Sequence, residues 1–299
     1  MIRERCQQLI VCAALVAWSN WPAAASAAGS PPQRIISVVP AATEMLFALG
    51  AGPRVVAVSS FDEHPAEVAR LPRVGALLDP DLERILTLRP DLVVVYESQT
   101  DLREQLERAG IATFVYTHGG LADITQTLRA LGDRVGLAES ANQVARGIEE
   151  RLESIRIRTA SRPHPRTLLV FGRDPLTLRN VDASGGIGFL HDILELAGGT
   201  NVFGDITRQS VQATTENMLG LAPEVIVELK YTGKLDADTI ERERTAWSIL
   251  SSVPAVRTGR VHLLIGDEFV VPGPRIAIAA ERLARKLHPE AFADRSRDR

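Results

Sequence analysis

Residues 82–95, LERILTLRPDLVVV, are written a second time at 215–228 as TENMLGLAPEVIVE. Each copy has a glutamate (Glu83, Glu216), helically spaced apolar residues, a proline seven positions after the glutamate (Pro90, Pro223), an acidic residue and a β-branched run. Apolar residues three and four apart predict a short helix with one buried stripe. The proline stops it, and the β-branched run predicts a strand buried on both faces. In the first copy Asp79 is expected to cap the helix, with Pro80 in its first turn and Leu82, Ile85, Leu86 and Leu88 as the stripe. In the second, Thr214 or Thr215 is the cap, and Met218, Leu219 and Leu221 form the stripe.

The repetition extends outward on both sides. RIISVVP (34–40) is echoed by RTLLVFG (166–172), MLFALGAG (45–52) by DILELAGG (192–199), and GIATFVY (110–116) by GRVHLLI (259–265). Four features in one order predict two α/β lobes of like design with mainly parallel sheets. Between them, AESANQVARGIEERLESIRIRTA (138–160) sets Ala141, Val144, Ile148, Leu152 and Ile155 at helical spacing, before the prolines of SRPHPR. This predicts a single stiff helix of about 35 Å joining the lobes. The expected organisation is a signal peptide at 1–27, an N-terminal lobe at 28–137, the bridging helix at 138–160, a C-terminal lobe at 161–290 and a disordered tail at 291–299.

Arg3 and Arg5, an apolar segment at 9–18 and the small residues Ala25-Ser26-Ala27 have the three parts of a secretory signal, so export to the periplasm with cleavage near Ala28 is expected. Both cysteines, Cys6 and Cys12, lie inside it, which leaves the mature chain to be stabilised by core packing without disulfides. A formal net charge of −3 with no basic cluster argues against nucleic acid as a partner. There is no phosphate-binding loop, dinucleotide fingerprint, nucleophile elbow or HExxH helix, and the six histidines are scattered. These absences leave a secreted hydrolase without those motifs open as one reading. Open α/β folds bind ligands at the C-terminal ends of their strands. Those loops carry Phe61, Leu77, Tyr96, Phe171, Arg173, Asp267 and Phe269. Phe61 and Tyr96 would serve equally well as caps on the sheet, and Trp247 is expected in the core. Glu83 and Glu216 either stabilise their helix dipoles or, held at fixed separation, face a partner with paired arginines.

The stretches SVVPAATEMLFALGA, VAVSSFDEHP, DLERILTLRPDLVVV, ELAGGTNVFGD, ENMLGLAPEVIV and GDEFVVPGPRI run through nearly all of the mature chain. Together they resemble the substrate-binding proteins of ABC importers for metal chelates, the cobalamin-binding members most of all. The resemblance implies a helical-backbone periplasmic binding protein that is not an enzyme and carries no cofactor; the stiff bridging helix is expected to limit its closure on binding. It also implies a monomer carrying cobalamin or a related corrinoid in the interlobe cleft, with haem, a ferric siderophore or a metal ion as alternatives. Glu83 and Glu216 would dock into arginine pockets of the permease. Phe61 would stack on the ligand, Tyr96 line the cleft wall, Phe171 contact from the first strand of the second lobe and Asp267 supply a polar contact. The pattern departs from those relatives at Leu77 and Ser210, where cobalamin binders carry tryptophans, and at Ala76, where haem binders often carry a tyrosine.

Overall fold

The computed structural model describes residues 30–231 and 235–293, so the expected signal peptide and the segment after Ala293 lie outside the described residues. The first lobe runs β1 (Ile35–Ser37), α1 (Pro40–Ala48), β2 (Val55–Val58), α2 (Leu82–Thr87), β3 (Leu92–Tyr96), α3 (Thr100–Arg108), β4 (Ala112–Tyr116) and α4 (Leu121–Arg134). Its strands lie in the order β2-β1-β3-β4, all parallel. The short apolar runs of β1 and β3 are buried because helices cover both faces of the sheet.

The bridging helix α5 (Ala138–Thr159) follows. The second lobe then runs β5 (Arg166–Gly172), β6 (Val181–Ser184), α6 (Phe189–Leu196), β7 (Thr200–Asn201), β8 (Ser210–Ala213), α7 (Thr215–Leu221), β9 (Val225–Lys230), α8 (Ala237–Thr245), α9 (Pro254–Arg257), β10 (Val261–Ile265) and α10 (Ile276–Leu287). The neighbours β10-β9-β5 repeat the parallel arrangement of β4-β3-β1, as the echoed sequences require. This sheet is nevertheless mixed: β6 runs antiparallel to β5, and β8 antiparallel to β6. The pair β6 and β8 has no counterpart in the first lobe, and the repeat gave no sign of it.

Within the doubled unit, three details differ from expectation. Asp81, not Asp79, caps α2, its Oδ1 accepting the Arg84 amide at 2.9 Å. Leu86 and Leu219 are 39 % and 44 % exposed, so they leave the stripe, which keeps buried Ile85 with partly buried Leu82 and Leu88 in one copy and buried Met218 with partly buried Leu221 in the other. Each helix is less than two turns long, too short to turn a wide face inward. Thr214 caps α7 as expected, accepting the Asn217 amide at 3.1 Å.

The core is continuous across the lobes. Ala141, Ala145, Ile148, Leu152 and Ile155 make one buried stripe on α5, which packs on α4 of the first lobe and on α10 and α6 of the second. Strand alternation divides the second sheet: Leu169, Val225, Val227 and Leu229 join this shared core. Leu168, Val170 and Ile226 face a separate cluster around Trp247. At the chain's end, Ala291 closes a 3₁₀ turn and the Phe292 ring lies 5.4 Å from the Arg158 guanidinium and 4.9 Å from that of Arg285. The first residues of the expected tail are thus packed.

Gly75, at φ +80°, turns the chain back after β2, and an added Cβ would collide with the Asp79 carbonyl oxygen and crowd the Asp81 amide. Gly75→Ala is expected to lower stability by more than about 1 kcal/mol, read as a fall in the urea midpoint at unchanged slope.

Candidate functional site

Phe61 follows β2 and is 74 % exposed. Beside it Asp62 is buried, accepts the Ser59 amide at 2.8 Å, and has its carboxyl raised above the usual range by burial. Tyr96 ends β3, and Gln99 ties it to the next loop: its Oε1 accepts the Tyr96 amide at 3.0 Å and its Nε2 donates to the Leu77 carbonyl at 3.0 Å. Phe61, Leu77 and Tyr96 therefore stand on one edge of the first lobe, at the C-terminal ends of β2 and β3.

From Tyr96 a line of rings crosses to the other lobe. Tyr96 meets Tyr116 edge-on at 5.8 Å and 86°, Tyr116 meets His118 at 6.4 Å and 63°, and His118 meets Phe189 at 5.3 Å and 83°. Burial pushes the Tyr96 phenol up to about 12 and lowers the His118 imidazole below its ordinary value. Both phenols are thus neutral donors at any physiological pH. Where the line reaches the second lobe lies a cavity of about 300 Å³, walled by Phe171, Ile187, Phe189, Leu190 and Val270, with Gln209 and Ser210 as its polar side. His118 is its one lining residue from the first lobe among the described residues. The glycine run GGIGF builds its rim, because the backbone at Gly186 lies against the Gly204 carbonyl, where a Cβ would collide.

Of the seven expected contacts only Phe171 lines this cavity: Phe61, Leu77, Tyr96 and Asp267 stand outside its wall, Leu77 beside a separate pocket with Leu78, Pro80 and Gln105, and Arg173 and Phe269 are buried within the second lobe. The Arg173 side chain is fully buried: its guanidinium is 2.9 Å from Glu228 and 2.6 Å from Glu243, and Lys230 lies 2.7 Å from Glu228. Trp247, in the core as expected, donates its indole N–H to Glu228 at 2.9 Å. Arg173 is therefore held inside the lobe by two acids that need its charge. Phe269 is likewise fully buried, its ring 4.8 Å from the Arg282 guanidinium.

Asp267 is partly exposed but engaged, accepting from Arg275 at 2.7 Å through each oxygen. Arg275 also reaches across to Glu44 on α1, with Nε at 3.0 Å from Oε2. This bridge, the Leu121 amide donating to Asp192 at 2.7 Å, and the Gln209 side chain donating to the His118 carbonyl at 3.5 Å all join the two lobes. Glu83 and Glu216 sit exposed in the first turns of α2 and α7, and neither carboxylate has a partner among the described residues.

His118, Ile187, Phe189, Gln209 and Val270 escaped the sequence reading. A signal existed for His118, which comes two residues after the strand GIATFVY, where the strand-end rule places ligand loops. None existed for Gln209, because it lies at the edge of the unannounced β6–β8 pair.

The sequence profile described as "Periplasmic binding protein" matches residues 35–267. The chain is similar to the uncharacterized ABC transporter substrate-binding lipoprotein YvrC of Bacillus subtilis, 28 % identical over 88 % of this chain and 82 % of that one. It is also similar to the crystal structure of the periplasmic vitamin B12 binding protein BtuF of Vibrio cholerae, with a TM-score of 0.74, 26 % identity and coverage of 89 % and 100 %. A periplasmic haem-binding protein of Pseudomonas aeruginosa matches with a TM-score of 0.73, 26 % identity and coverage of 86 % and 93 %.

The Arg275 bridge gives a testable consequence. Glu44 is buried, and desolvation raises its carboxyl while Arg275 pulls it down. Arg275→Ala leaves that carboxylate uncompensated, at an expected cost of about 3–5 kcal/mol near pH 7.5. Protonation relieves it, so the deficit should shrink as the pH falls toward 5. Asp267 is held below its ordinary range by Arg275, and its contribution disappears only when the pH falls through that lowered value. Denaturant midpoints of the wild type and variant at the two pH values therefore read Glu44.

Proposed function

The chain belongs to the periplasmic binding protein family, whose members deliver small-molecule ligands to the permeases of ABC importers and are not enzymes, and on that footing we propose that it captures cobalamin or a related corrinoid. The observation that carries this reading is the apolar interlobe cavity continued by a line of aromatic rings. A large, flat, mostly apolar ligand with polar edges suits such a surface. The vitamin B12 binder among the similar structures supports the same choice. Phe61, Leu77, Tyr96 and Phe171 are the apolar contacts, and Asp267 offers a polar one beside Arg275. The extracytoplasmic side of the membrane is the place of action, reached by a cleaved signal peptide, and the protein works as a monomer.

Haem is the second reading, favoured by Leu77 and Ser210 standing where cobalamin binders carry tryptophans and by the haem binder of similar fold. Delivery uses Glu83 and Glu216, exposed at equivalent points of the two lobes and free to meet paired arginines of the permease. The hydrolase alternative falls with the family assignment.

Purified mature protein titrated with cobalamin, cobinamide, hemin and a ferric siderophore should bind the two corrinoids tightest. Tight hemin binding with no corrinoid binding would overturn the choice in favour of haem. In cells, the double variant Glu83→Ala with Glu216→Ala should lose corrinoid uptake while the purified variant binds as before. Undiminished uptake would remove both glutamates from the docking surface.

A further inference from the structure

His118 stands out from the rest of the cavity lining. The remaining lining residues are hydrocarbon, glycine, an amide and a hydroxyl, so His118 is the one nitrogen donor of the kind that binds cobalt or iron. Among the described residues neither of its ring nitrogens has a hydrogen-bond partner. A ligating histidine is usually oriented by donating its second N–H. Here two rings do that work, Tyr116 on one side and Phe189 on the other, both edge-on. His118 remains solvent-exposed at the cavity, and partial loss of water around its ring lowers the imidazole below its ordinary value, which keeps a lone pair available.

Among the described residues no three histidine, cysteine, aspartate or glutamate side chains come together to hold an ion. A lone imidazole therefore suits a metal that arrives with its equatorial donors already supplied and one axial position open. We propose that His118 is an axial ligand to the metal of a macrocyclic chelate seated in the interlobe cavity. The assignment rests on the cleft reading given above and sharpens it: the preferred cargo is a corrinoid lacking its own axial base, or an iron macrocycle of the same form. Because His118 belongs to the first lobe while Phe171 and Phe189 belong to the second, such a bond would tie the cargo to both lobes at once.

The test uses the mature protein with aquacobinamide, cyanocobalamin and hemin as probes, read by visible spectra and by affinity. His118→Ala removes the donor, and His118→Phe removes it while keeping a ring between Tyr116 and Phe189. The wild type should shift the cobinamide or hemin bands to those of a nitrogen-ligated metal. Both variants should lose that shift and bind roughly tenfold or more weakly, a loss of about 1.4 kcal/mol or more. Added imidazole should restore the spectrum of His118→Ala. A shift with hemin alone supports axial ligation and identifies iron as the metal. Equal spectra and affinities for the wild type and His118→Phe would overturn the ligation and leave the cleft reading standing. Failure of the wild type to bind any of the three probes would overturn both.

Discussion

The packing of α5 between the lobes is the constraint on which the rest depends. Its stripe from Ala141 to Ile155 belongs to the same apolar core as both sheets. Moving one lobe far from the other would therefore expose apolar surface at about 25 cal/mol per Å². A flexible hinge carries no such penalty. The Arg275–Glu44 bridge and the Leu121–Asp192 hydrogen bond add polar ties across the same boundary. Apolar packing and polar ties thus hold the two lobes against each other along one boundary.

Charge and apolar surface are kept apart around that cleft. Arg173, Glu228, Glu243 and Lys230 neutralise one another inside the second lobe, where Trp247 covers them and adds a hydrogen bond. Arg275 and Arg282 engage Glu44, Asp267 and Glu268 on the interlobe side. The cavity itself is left with hydrocarbon walls, rings and a few polar groups. Among the described residues no cluster of three acids, histidines or cysteines faces it.

The outer surface has its own pattern. On α2 and on α7 a glutamate unpaired among the described residues is followed three residues later by an exposed leucine, Leu86 and Leu219. Three residues on a helix is one turn, so the two side chains share a face in each copy. The same residues that narrowed the buried stripe therefore give each lobe a small mixed surface of carboxylate and hydrocarbon.

The order of residues sufficed for what local chemistry and repetition dictate. Two parallel β-α units, proline stops, the Thr214 cap, the bridging helix and the exposure of Glu83 and Glu216 all follow from spacing and propensity, which act within a few residues. The cap at Asp81 depended on a turn in which Gly75 lies against Asp79 and Asp81. The antiparallel β6–β8 pair is a pairing of distant segments with no signature in either alone. Folding alone placed Arg173 and Phe269 inside the lobe, although both sit on strand-end loops: Arg173 meets Glu228 fifty-five positions away, and Phe269 joins the apolar core. It also brought His118 to the Phe189 side of the cleft, across a boundary that no sequence period could reveal. Periodicity reports which face a residue takes within its own element. Which element it meets is decided by packing over the whole chain.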